Sequence, residues 1–228
     1  MGLKPDGVSK DAYNEGIVNE FPRTQQTTQR KWIKQVVGMP ITWLIIAVIS
    51  ANAFTTGIIS THQIAYLQDI GFSAMTAATV ASVMAIFNTC GSLGIGALGL
   101  RYNIRYLASL AFVFEITGLV ILITTVKLSL IYVYAAFVGI GWGGILTSLP
   151  TFVGNNYPRD RYAQVMGIVF PFQVISQAIS ATLAGVVYDH TNQYTMAFMA
   201  LLGFGVIGFI CSLFARKRQQ DGTAIAIG

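Results

Sequence analysis

Six stretches of this chain, Ile41 to Tyr66, Thr76 to Leu100, Tyr106 to Thr125, Leu128 to Val153, Ala163 to Tyr188 and Met196 to Ala215, are apolar and almost free of charge. Each is at least as long as the roughly 20 residues of helix that cross a hydrocarbon layer about 30 Å thick. Within lipid, every backbone N–H and C=O must find its partner inside the protein, which leaves helices and closed barrels as the spanning structures. Barrel strands are about half as long and alternate in polarity, a pattern these stretches lack. The expected fold is therefore an all-α integral membrane protein, a six-transmembrane-helix bundle. Only 10% of the residues are charged and 54% are hydrophobic, whereas a soluble domain carries about 25% charged residues.

The charges mark the connections between the spans. Thirteen of the fourteen Lys and Arg residues fall in one set of connections: the amino-terminal segment, the turn with Arg101 and Arg105, the turn with Arg159 and Arg161, and the tail Arg216, Lys217, Arg218. The opposite turns hold Lys127 alone. Positive charge gathers on the cytoplasmic side of membrane proteins, so both termini are expected in the cytoplasm of a multi-pass protein of the inner or plasma membrane. Residues 1–38 read as a flexible polar cytoplasmic segment, 39–215 as the six-helix domain and 216–228 as a cytoplasmic tail. The first 38 residues have no apolar core of the signal-peptide kind, so the first span would itself direct insertion.

Several function classes are disfavoured by the same pattern. The net charge of +5 sits at helix ends rather than on a basic face, so no nucleic-acid partner is expected. Cys90 and Cys211 lie inside apolar runs and read as small hydrophobes. No glycine loop for nucleotide phosphates and no Cys and His spacing for a metal is present. The chain is not expected to be an enzyme or to carry a cofactor or a metal.

Four passages carry a resemblance. Gly2-Leu3-Lys4-Pro5-Asp6-Gly7 is similar to a Gly-Leu-x-Pro-Asp-Gly string that follows the sixth helix in bacterial carriers of the major facilitator superfamily, in the monocarboxylate and oxalate/formate antiporter branch. Gly96 to Arg105 resembles the superfamily's Gly-x-Leu-x-Asp-Arg-x-Gly-Arg-Arg turn, with Leu100 in place of the Asp and Asn103 in place of the Gly. Gly185 to Tyr194 looks like the Gly-x-x-x-Asp-x-Thr-Gly-x-Tyr turn, and Tyr66 to Gly71 resembles the Tyr-Leu-x-Asp-x-Gly exit from helix seven. The resemblance implies the carboxy-terminal six-helix half of a twelve-helix carrier, with the first, second, fourth and fifth spans lining a central cavity. It also implies a site at the interface of two halves, so the chain would pair with itself or with a separate amino-terminal half.

Polar side chains on one face of a membrane helix are the candidates for transport. Asn52, Thr56 and Gln63 share a face of the first span, Asn88 sits midway along the second, and Gln173 and Gln177 belong to a stripe with Ser176 and Ser180 in the fifth. These are the substrate-binding candidates; the alternative is that such groups hydrogen-bond neighbouring helices. His62, able to switch charge near neutral pH, and Glu115, ten residues into the third span, are the proton-coupling candidates. For each, a structural hydrogen bond is the competing role. Arg101, Arg105, Arg159, Arg161 and Asp189 sit in the turns, where they gate the carrier or only fix its topology.

The second and fifth spans contain no Lys or Arg, although the resemblance implies a cation there in carriers of carboxylates. The expected function is a secondary active transporter, or its carboxy-terminal half, moving a small organic solute such as a monocarboxylate or dicarboxylate by alternating access, as symport or antiport. The rival is a truncated, non-transporting six-helix membrane protein that serves as a scaffold or needs a separate amino-terminal half.

Overall fold

The computed structural model describes residues 32–191 and 193–215. The Gly2 to Gly7 string and the basic tail at Arg216 to Arg218 lie outside the described residues. The chain forms two compact units, Met1–Pro40 and Ile41–Gly228. In the first, residues 32–38 are helical, which departs from the flexible segment expected there. Trp32, Ile33, Val36 and Val37 recur at helical spacing around Lys34 and Gln35, an amphipathic pattern that favours a turn or two of helix.

Six long helices follow among the described residues: α1 (Pro40–Asp69), α2 (Ala74–Leu98), α3 (Ile104–Thr124), α4 (Leu128–Asn156), α5 (Tyr162–Thr191) and α6 (Thr195–Phe214). A short 3-10 turn, Arg159–Arg161, precedes α5. All six helices are long and apolar enough to cross a membrane. The all-α six-helix architecture expected from the apolar stretches is the one the chain adopts.

Local chemistry sets the boundaries. α1 opens on Pro40, whose missing N–H costs nothing in a first turn. It closes at Gly71, whose φ of 100° is open to glycine and strained for other residues. Ser73 starts α2 by accepting the Thr76 amide at 3.1 Å, and Asn103 starts α3 by accepting that of Arg105 at 3.2 Å; both are N-caps. α4 runs past the apolar stretch to Asn156, then stops because Tyr157 precedes Pro158 and is extended, with φ −129° and ψ 152°. Pro150 and Pro171 lie inside α4 and α5.

α4 packs on α2 and α3, and α3 in turn on α6. Glycine allows the closest approaches. A Cβ on Gly139 would meet the Met84 carbonyl at 2.5 Å, and one on Gly143 would overlap the Asn88 carbonyl. The Gly139-x-x-x-Gly143 face is thus where α4 lies on α2. α1 meets α5 at Gly57, which touches the Gln177 carbonyl and the Ser180 hydroxyl, and meets α6 where Phe54 stacks on Phe204 with ring centroids 4.0 Å apart. In a bilayer, such small-residue contacts take the place of hydrophobic collapse as the source of helix association.

Candidate functional site

The polar stripe of α1 points into the bundle. Asn52, Thr56 and Gln63 are all buried. The Asn52 amide donates to Oε2 of Glu115 at 3.5 Å, and the Thr56 hydroxyl donates to the Asn52 carbonyl at 2.9 Å within its own helix. Glu115 itself is 0% exposed, so its carboxyl belongs to the α1–α3 contact and not to a surface. Thr55 lies beside the same carboxyl. Sequence reasoning passed over Thr55, although its i+3 spacing from Asn52 places both on the inward face.

The polar residues of α5 are placed differently. Gln173, Ser176 and Gln177 are half-buried, and only Ser180 is fully enclosed, at the Gly57 contact. Gln173 Oε1 is shut off from solvent and has no hydrogen-bond partner among the described residues. Asn88 of α2 is half-buried, with its backbone against Gly139 and Gly143. α2 and α5 are the least enclosed spans, and α1 is the most enclosed. Large apolar side chains such as Ile86, Leu93, Val174 and Ile175 lie exposed on these two helices, so their outer faces suit lipid or another apolar body. The Asn52 group is thus enclosed, whereas Gln173, Ser176 and Gln177 are only half-buried.

An aromatic cluster absent from the sequence reading joins α1, α5 and α6 at one end. Tyr194 stacks on Tyr188 with centroids 4.3 Å apart, and its ring centroid is 5.4 Å from that of His62. Tyr66 lies edge-on to Phe198 at 4.7 Å and donates its hydroxyl to the Leu122 carbonyl at 3.3 Å. Nε2 of His62 is 3.0 Å from the Ala181 carbonyl, so the proton on Nε2 ties α1 to α5. Burial, with Tyr188, Asp69 and Asp189 nearby, holds the Tyr194 phenol above its ordinary range.

In the basic turns, Arg101 and Arg159 are exposed. Arg105 lies over the Tyr106 ring, 4.3 Å from its centroid, and donates to the Tyr106 hydroxyl. Arg161 pairs with Asp160 at 3.3 Å and donates to Gln164 at 3.2 Å. Asp189 is exposed at the opposite end of α5. Among the described residues, no group of three or more His, Cys, Asp or Glu side chains is arranged to hold a metal.

Known proteins resemble this chain in sequence. The chain is 28% identical over 171 residues to Monocarboxylate transporter 2 of Rattus norvegicus, covering 68% of this chain and 35% of that protein. It is 25% identical over 170 residues to Monocarboxylate transporter 12 of Mus musculus, covering 70% of this chain and 35% of that protein. The chain thus spans about a third of the length of these curated relatives. Both are named as transporters and neither as an enzyme, and the chain is a multi-pass membrane protein as they imply. A model of the Major Facilitator Superfamily matches residues 13–181, about three quarters of the sequence, and on that match the chain belongs to the Major Facilitator Superfamily.

Proposed function

We propose that this chain is a six-helix half of a secondary active transporter that moves a small organic solute by alternating access, working against a second six-helix body. The observation that carries the reading is the pairing of openness with polarity on α5: the least enclosed span holds two half-buried amides, one with a carbonyl oxygen that has no partner. In a membrane such groups are costly unless they serve another helix or a ligand. Gln173 and Gln177 of α5 and Asn88 of α2 are assigned to the solute, while Asn52, Thr56 and Gln63 are assigned to the interior of the half. The bacterial monocarboxylate and oxalate/formate branch remains the proposed lineage, and the charge of the basic turns supports a cytoplasmic position for both termini.

A monocarboxylate or dicarboxylate is the proposed cargo class, supported by the names of the two relatives. α2 and α5 lack a cation, so these amides would hydrogen-bond the carboxylate and the compensating charge would come from the other half. Uptake of labelled lactate and oxalate into proteoliposomes holding the complete carrier tests this. Gln173→Ala is expected to cut uptake about three- to tenfold, the size of one lost hydrogen bond, with an unchanged amount of protein in the membrane. Uptake at the unmutated rate in both Gln173→Ala and Gln177→Ala contradicts the assignment.

A further inference from the structure

Three buried oxygens on neighbouring side chains of α1 and α3 have no hydrogen-bond partner among the described residues: Oδ1 of Asn52, Oγ1 of Thr55 and Oε1 of Glu115. Asn52 Nδ2 reaches the other carboxyl oxygen only at 3.5 Å, the long limit of a hydrogen bond. Buried polar atoms in native proteins are paired almost without exception, and in hydrocarbon the requirement is stricter. A bare carboxylate there would need a compensating positive charge.

The surrounding elements offer none. On α1 the titratable groups are His62, Tyr66 and Asp69; on α3, Arg105 and Tyr106; on α4, Tyr132 and Tyr134; on α6, Cys211. His62 is ten residues along α1 from Asn52, and Arg105 ten residues along α3 from Glu115, roughly 15 Å of helix in each case. The side chains that act on the carboxyl are Thr55 and Asn52, both uncharged.

We propose that Glu115, Asn52 and Thr55 form a proton-holding site between α1 and α3, in which the neutral carboxyl of Glu115 donates a hydrogen bond to α1. One proton gives each of the three oxygens a partner. With the Asn52 amide turned over, Oδ1 accepts the carboxyl O–H, Nδ2 is freed, and the Thr55 hydroxyl donates to the remaining carboxyl oxygen. An alkali ion would need several more oxygens and more room. Gly141 of α4 leaves little, since a Cβ there would meet the Glu115 nitrogen at 2.8 Å, and on the α6 side Gly208 is pressed against Phe112 and Ala51.

The site stands on this geometry alone; its use in coupling rests on the carrier reading. If α1 moves during transport, losing the proton to water through a transient opening removes the donor that binds α1 to α3, and regaining it restores the bond. The proton site uses side chains other than Gln173 and Gln177, so either can fail without the other.

Infrared spectroscopy of the full chain, purified in mild detergent at neutral pH, tests it. The expected result is a carbonyl stretch of a protonated carboxylic acid, shifted by D2O, absent from Glu115→Gln, and moved to higher frequency in Asn52→Val, where the donor has lost its acceptor. Unfolding temperature is expected to be the same in sodium and choline chloride. A wild-type spectrum without that band, or a band that persists in Glu115→Gln, overturns the proposal. So does stabilisation by sodium chloride without the band, which assigns the site to an alkali ion.

Discussion

Asn52 and Gln177 are both amides one helix turn or less from a glycine contact, and their surroundings separate them. Asn52 is buried against Glu115 of α3, whereas Gln177 is half-buried at the α1–α5 contact, with only its backbone carbonyl against Gly57. In sequence the two stripes look alike, because helical spacing gives a shared face but not the identity of what faces it. The partner of Asn52 is 63 residues away, and nothing local signals it. The clearer residue-level case is His62, which bridges α1 to the Ala181 carbonyl. His62→Ala is expected to lower the stability of the purified protein by about 1 kcal/mol, the usual net value of one hydrogen bond, and His62→Gln, which keeps a donor, by less. Thermal unfolding in detergent reads both, and equal losses would show that the imidazole acts through its bulk.

At the scale of elements, the spans were legible because a membrane demands about 20 apolar residues in a row, a constraint written in composition and not in contacts. The caps were passed over in the sequence, although Ser73 and Asn103 are residue types that close a first turn, and both do so. Helix packing was only half legible. The Gly139-x-x-x-Gly143 face was visible as a place for close approach, but that it receives Met84 and Asn88 of α2 follows from the topology of the whole unit. The aromatic cluster of Tyr66, Tyr188, Tyr194 and Phe198 was missed because its members come from three helices. Gly143→Val is expected to destabilise the protein by about 1–3 kcal/mol through overpacking against α2. Gly154→Ala, with nothing within 4 Å of the added carbon, is expected to be neutral or slightly stabilising in the same unfolding measurement.

For the whole molecule, the layout separates two tasks. α4, with α3 and α1, builds an interior that holds buried polar groups, while α2 and α5 carry exposed apolar surface and half-buried amides. A body of that kind suits the proposed pairing with a second six-helix body. The account depends on the six helices crossing a bilayer with the Arg101 and Arg159 turns on one side. In a Cys90→Ser, Cys211→Ser background, single cysteines at Asn103, Asp160 and Gln193 can be labelled with a membrane-impermeant maleimide in intact cells and in inverted vesicles. The expected result is labelling of the Asn103 and Asp160 positions from the cytoplasmic side only, and of the Gln193 position from the outside only. Labelling of the Asn103 and Asp160 positions from opposite sides would contradict the fold, the orientation and the transport reading together.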